Sequence, residues 1–247
     1  MVEELVRKLS GFIVLNDATA HGLVKLCSET RVFAPKERIA MVGGAYRGIY
    51  LVRNGWALRS RLLENGARQI VSVAMPGDFL GLNAMIFENS DFDIIAKTEV
   101  TANLIDRETL RAVLGHDPHL AAAIFWVTAR EESILAERIV SLGRRSVRER
   151  TAHVLCEFIS RLEIIDERHA NEILIPLTQE DFADILGTSL VHTNKTLRAL
   201  DRDRIIQFRQ GLLRIIDRPE LERTAGFDQG YLHFTRVRPP RVAGAGD

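Results

Sequence analysis

Between residues 31 and 106 the chain is cut at near-regular intervals by turn dipeptides: Gly43-Gly44, Asn54-Gly55, Asn65-Gly66 and Pro76-Gly77. The pieces between them are short and rich in β-formers: RVFA, GIYLV, WALRSRLL, RQIVSVAM, DFDIIAKT and TANLID. Strands of this length at such spacing close into a small antiparallel barrel or roll. Asn54-Gly55 and Asn65-Gly66 suit type I′ hairpin turns, whose two central residues both take positive φ. No repeat of solenoid length is present.

The flanking segments follow a helical grammar. Residues 2–10 and 17–27 are expected to form two short helices, the second opening at Asp17. Asp117-Pro118 opens a long helix, with Asp at the cap and Pro in the first turn, where its missing N–H costs nothing. Its apolar positions, Leu120, Ile124, Val127, Ile134, Leu135, Ile139 and Leu142, form a stripe suited to a parallel dimer seam or to packing on the chain's own roll. At about 1.5 Å per residue the helix would span roughly 35 to 40 Å. Gly143 is expected to break it, and Ser146 with Glu149 has capping-box spacing at the start of a further helix, SVRERTAHVLCEFISRL. Leu142 to Ser146 is thus a hinge, and the chain divides into residues 1–115, 116–145, 146–225 and a tail, 226–247. The polar run EIIDERHANEI reads as a surface loop and RPPRVAGAGD as a disordered end.

Within the third region, Leu177 to Leu200 reads as two short helices joined by a tight turn. Thr178 and Asp181 have capping-box spacing, Phe182, Ala183, Ile185 and Leu186 make an apolar face, and Gly187 supplies the left-handed stop. Ser189 caps the second helix. Its inward side is Thr193, Leu197 and Leu200, which turns Leu190, Val191, Asn194, Lys195 and Arg198 outward, in position to meet DNA. RIIQF and LLRIID flank Arg209-Gln210-Gly211 as a β-hairpin, and a hairpin directly after a helix-turn-helix is a wing.

Composition excludes more than it selects. The formal net charge is zero, so attraction to nucleic acid must be local. From Ser189 to Arg214 there are six basic residues against two acidic ones, which supplies a local patch. No apolar run reaches membrane-spanning length, and the chain reads as cytoplasmic. Cys27 and Cys156 lack metal-ligand spacing. In His116-Asp117-Pro118-His119, Asp117 and Pro118 already serve as the helix start, and two imidazoles without a third ligand make no metal site. No hydrolase, zincin or phosphate-loop motif appears, so catalysis has no candidate residues.

The α+β order of roll, long helix, hinge and winged helix-turn-helix resembles the Crp/Fnr family of transcriptional regulators over nearly the whole chain. PGDFLG at Pro76–Gly81 is similar to the family's PGD-x-x-G turn of a cyclic-nucleotide-binding-like roll. ILAERIVSLGRRSVRERTAHVLCEF is similar to its dimer-helix-to-hinge passage, and TQEDFADILGTSLVHTNKTLRAL to its DNA-binding element. VHTNKTL and FDQGYLHF are closest to a subgroup common among α-proteobacterial regulators.

The resemblance implies a homodimer on an inverted-repeat site, with base-reading residues at Leu190, Val191, Asn194 and Lys195. Phosphate contacts would fall on Thr178, Gln179, Ser189, His192 and Arg198. Better-known branches carry glutamate at the place of Val191 and arginine at that of Lys195. Val191 offers only apolar contact, for instance to a thymine methyl, whereas Lys195 can donate to guanine and Asn194 can pair with adenine. Where cyclic-nucleotide-binding members hold the phosphate with arginine and a hydroxyl, this chain has Ser90 and Asp91, which argues against cyclic AMP. The cysteines of the family's oxygen sensors are missing and no histidine is marked as a haem ligand, so no cofactor is expected. The resemblance also implies contact with RNA polymerase through the loop from Glu163 to Glu172. Two rivals stand beside this reading: the same regulator gated by a small effector in the roll, and a dimeric ligand-binding or scaffold protein without specific DNA recognition.

Overall fold

The computed structural model describes residues 26–27, 29–164 and 172–233. The two expected N-terminal helices lie outside the described residues except for Leu26, which is helical and buried, and Cys27. The centre of the polar loop and the far C-terminus lie outside them too.

The roll consists of two antiparallel four-stranded sheets. One runs β1 (Glu29–Phe33), β8 (Val100–Ile105), β3 (Ile49–Asn54), β6 (Phe79–Leu80), and the other β2 (Arg38–Ala40), β7 (Asp93–Ala96), β4 (Ala57–Leu62), β5 (Arg68–Ala74). Strand β3 shows why its run is apolar without alternation. Tyr50 and Val52 face the interior of the roll with Ile94, Val100 and Ala102, while Ile49 and Leu51 face helices on the other side. Period two places the two sets on opposite faces, and both faces are covered.

Neither expected type I′ turn forms in the roll, because Gly55 and Gly66 take positive φ and neither Asn54 nor Asn65 does. Asn54-Gly55 is a corner, since β3 and β4 belong to different sheets. A Cβ on Gly55 would stand 2.0 Å from the Glu99 carbonyl oxygen, so the corner has room only for glycine. Asn65-Gly66 does close the β4–β5 hairpin, by a three-residue loop with Gly66 left-handed. The type I′ turn appears instead in the wing, at Gln210 (φ 51°) and Gly211 (φ 83°).

Helix α1 (Arg107–His116), capped by Asp106, follows the roll and is absent from the sequence expectation. Helix α2 (Pro118–Arg144) starts as expected, with the Asp117 carboxylate accepting from the N–H groups of His119 and Leu120. It runs through Gly143, which does not break it, and ends one residue later. Helix α3 (Val147–Glu163) begins with the expected Ser146–Glu149 capping box, which leaves only Arg145 and Ser146 as the hinge.

The C-terminal region then builds β9 (Glu172–Leu174), α4 (Gln179–Leu186), α5 (Leu190–Arg202), β10 (Ile206–Arg209), β11 (Leu212–Ile215) and α6 (Arg218–Ala225). Strand β9 adds a third strand to the expected hairpin, in the order β10-β11-β9. The first part of the tail packs against α2: Leu232 is fully buried, and its carbonyl accepts from Arg130 Nε of α2 at 2.9 Å.

One hydrophobic core joins roll to C-terminal region. Trp56, Leu58, Ile70, Val73 and Met75 of the roll pack with Val154, Leu155 and Phe158 of α3 and with Phe182 and Ile185 of α4. The Trp56 and Phe158 rings meet edge to face at 5.7 Å. A buried ionic chain crosses the same boundary: Asp78 of the roll accepts from Arg161 of α3 at 2.6 Å, Arg161 reaches Glu157 at 3.2 Å, and Glu157 accepts twice from Arg138 of α2 at 3.1 Å.

Candidate nucleic-acid interface

The two helices of the expected reading element form as their sequence requires. Thr178 and Asp181 cap each other, Gly187 stops α4 in the left-handed region (φ 59°), and Ser189 Oγ accepts from His192 N–H at 3.2 Å to start α5. Phe182, Ile185, Leu186, Leu197 and Leu200 are buried beneath them. This burial fixes which side of α5 faces out.

On that side Val191 is 77% exposed and Leu190 46% exposed, next to exposed His192, Lys195 and Arg198. Val191, Asn194, Lys195, Arg198 and Arg202 line one shallow groove along the helix. Neither Lys195 nor Arg198 has a carboxylate within ion-pair distance among the described residues, whereas Arg209 stands 3.8 Å from Asp201 and Arg202 3.9 Å from Asp203. Asn194 is half-buried, and its Oδ1 is buried without a hydrogen bond among the described residues. Unspent donors on one exposed helix face are what base edges require.

The phosphate-contact expectation needs one correction. The Thr178 N–H and hydroxyl both donate to Asp181 Oδ2, at 2.8 and 2.7 Å, so Thr178 has no donor left for a phosphate. Gln179 is exposed beside it, in a cleft shared with Arg209, Gln210 and Gly211 of the wing tip. Ser189 accepts through its oxygen and keeps its hydroxyl proton to give.

Asp181 is itself held from the roll, a feature no sequence pattern announced. Arg68 of β5 donates to Asp181 at 2.9 Å and to Asp184 at 2.6 Å, and Lys97 pairs with Asp181 from the turn between β7 and β8. Burial works against ionisation of Asp181, but hydrogen bonds from Lys97 and Thr178 hold its carboxyl below the usual range.

The expected dimer stripe also changes. Leu120, Ile124 and Ile134 are buried within the chain itself, Val127, Leu135 and Leu142 are half-buried, and only Ile139 of the seven is exposed. The apolar residues that α2 leaves open are Phe125, Ile139 and Val140, at 75%, 71% and 50%. Residues 125 and 139–140 are about four helical turns apart and share one face.

In the roll, a cavity of about 80 Å³ is lined by Tyr46, Arg59, Ser90, Phe92, Trp126 and Arg130, among others. Ser90 is buried and its hydroxyl donates to the Phe92 carbonyl at 2.7 Å, while Asp91 is exposed and stands outside the lining. Repulsion by Asp91 is therefore not what shapes the cavity. Its Arg59 comes from β4, lies over the Phe92 ring at 5.3 Å, and has a buried Nε without a hydrogen bond among the described residues. Burial pushes the Cys156 thiol up to about 12 and the Cys27 thiol up to about 11, which keeps both protonated and unreactive at neutral pH. No group of His, Cys, Asp and Glu among the described residues is placed to hold a metal ion, and no described helix is long and apolar enough to cross a membrane.

A β-roll, a long connecting helix and a winged helix-turn-helix with an open, cation-bearing second helix define a DNA-binding regulator. Residues 149–224 match the Crp-like helix-turn-helix domain and residues 30–117 the cyclic nucleotide-binding domain. The nitrogen fixation regulation protein FixK of Bradyrhizobium diazoefficiens is 31% identical over 176 residues, 71% of this chain and 73% of that protein. FixK of Azorhizobium caulinodans is 29% identical over 195 residues, 78% of this chain and 77% of the relative. The solved structure of FixK2 from Bradyrhizobium japonicum superposes with a TM-score of 0.74 at 24% identity, over 81% of this chain and 98% of that one. The chain belongs to the Crp/Fnr family of transcriptional regulators.

Proposed function

We propose that the protein acts in the cytoplasm as a homodimer on an inverted-repeat DNA site, each subunit placing α5 in the major groove. The exposed face of α5, where Lys195 and Arg198 have no carboxylate within ion-pair distance among the described residues, carries this reading. Leu190, Val191, Asn194 and Lys195 read base edges, while Gln179, Ser189, His192 and Arg198 hold the backbone. The dimer forms through the open face of α2, centred on Phe125, Ile139 and Val140. Contact with RNA polymerase makes the regulator an activator. Binding to genomic fragments and to random duplex across a salt series tests the reading. Fragment-specific binding well above random at physiological salt is expected, and equal binding to both would reject it.

The roll takes no cyclic nucleotide on this reading. Its cavity is well below the roughly 300 Å³ at which pockets for drug-sized ligands begin, and neither Ser90 nor Asp91 can pair with a phosphate. Calorimetry with cyclic AMP and cyclic GMP is expected to show no binding, and micromolar binding would contradict it. The free Arg59 Nε favours a second reading, gating by a small anion in the same cavity.

A further inference from the structure

The first helix of the reading element lies along strand β5 of the roll, and consecutive residues of that strand grip it at both ends. Arg68 takes Asp181 and Asp184, near its start and middle, at 2.9 and 2.6 Å. Gln69 Nε2 donates to the Ile185 carbonyl near its end at 3.3 Å, and Ile70 enters the shared core beneath. Lys97 closes on Asp181 from a second turn of the roll. Beyond α4 the turn is tight as well: a Cβ on Gly187 would stand 3.1 Å from Leu142 Cδ2 of α2.

The grip has two properties that simple cohesion between domains does not need. Asp181 is the third-residue partner of Thr178 in the capping box that starts α4, so the roll's cations hold the carboxylate that completes that cap. Asp181 and Asp184 also add negative charge to the helix that precedes the DNA-facing face, and Arg68 and Lys97 neutralise it from outside the DNA-binding region. The clamp lies on α4 and leaves the outer face of α5 open, so it orients the reading element without covering it.

We propose that Arg68 and Lys97, two residues of the roll, are positioning residues for DNA recognition: through Asp181 and Asp184 they fix the α4–α5 pair in its reading pose without a ligand. The inference rests on the DNA-binding reading above. It makes the roll a platform for the reading head rather than a detached sensor.

The test uses the full-length chain and two probes: a duplex selected by the wild type from a randomised pool, and a random duplex of equal length. Arg68→Ala with Lys97→Ala is expected to weaken binding to the selected duplex about tenfold, within the range typical of coupled sites. Binding to the random duplex should stay within about twofold, because losing two remote cations removes little backbone attraction. The conservative change Arg68→Lys keeps a cation facing both Asp181 and Asp184 and, compared with Arg68→Ala, is expected to retain most of the affinity for the selected duplex. Lys97→Ala alone, the mildest change, should lose a few-fold. A lowered melting temperature with unchanged preference for the selected duplex would overturn the proposal, as would an Arg68→Lys chain that folds but binds the selected duplex no better than Arg68→Ala. If the wild type enriches no duplex from the pool, the regulator reading fails, and the proposal fails with it.

Discussion

Lys195 and Val191 sit on one exposed face and have opposite chemistry. The ammonium is a compact donor for guanine O6 and N7, and Lys195→Ala is expected to cost about 1 to 3 kcal/mol on the correct site and to relax preference at one base pair. Titration against single-base variants of that site checks it, and uniform weakening on all of them would make Lys195 a phosphate contact. His153 offers a second test at this scale. It stacks on Tyr231 at 5.6 Å and lies 3.2 Å from Glu137, but Arg145 already occupies that carboxylate at 2.6 Å. Burial, reinforced by the Arg145 charge, pushes His153 down to about 4 from 6.5. The unfolded chain therefore binds this proton more readily. Stability from neutral His153 is complete above pH 6.5 and falls by up to about 1.4 kcal/mol per unit as pH drops from 6.5 to 4. Urea unfolding of His153→Phe against wild type over that window is expected to show the acid loss reduced by this amount. Residues of this kind were partly legible. Thr178, Gly187 and Ser189 could be assigned because caps and stops act over three or four residues. The destination of Thr178's hydroxyl proton could not be, since a side chain that caps through its oxygen can still donate to a phosphate.

Among the elements, α2 carries the most revised reading. Its apolar stripe was visible, but an apolar position does not state which surface covers it. Leu120 and Ile124 belong to one of the chain's own cores and Ile134 is buried within the chain, which leaves Phe125, Ile139 and Val140 for the proposed dimer. Ile139→Glu is expected to convert the dimer to monomer in sedimentation at micromolar concentration, with little loss of monomer stability because the side chain is 71% exposed. Short strands such as β2, β6 and β9 escaped the sequence for a related reason: two or three residues hold no period, and their pairing is set by distant partners. The α4–α5 turn is the opposite case. Gly187→Ala is expected to cost about 1 to 2 kcal/mol, from positive φ together with the close approach to Leu142, read as a shift in the urea midpoint.

At the scale of the whole molecule, roll and reading head are packed as one body. They share a core, the clamp on α4 and the ionic chain from Asp78 through Arg161 and Glu157 to Arg138. Glu157 is buried, and burial opposes its charge, yet Arg138 and Arg161 hold its carboxyl below the usual range. Glu157→Gln leaves two buried guanidinium groups without their common counter-charge, and a loss of about 3 to 5 kcal/mol in a single unfolding transition is expected. Two separated transitions would instead mean that the domains melt independently. None of this coupling was legible, because the ion pairs that join roll to reading head lie about 80 to 115 residues apart and ordinary surface charges have the same composition. The family resemblance supplied the order of parts; the contacts supplied how the parts act together. The central claim, that paired α5 helices read DNA, is tested most directly by selecting duplexes from a randomised pool with the full-length protein and sequencing them. The account expects an inverted repeat with half-site centres about 10 base pairs apart. Enriched sequences lacking two-fold symmetry, or no enrichment, would contradict it.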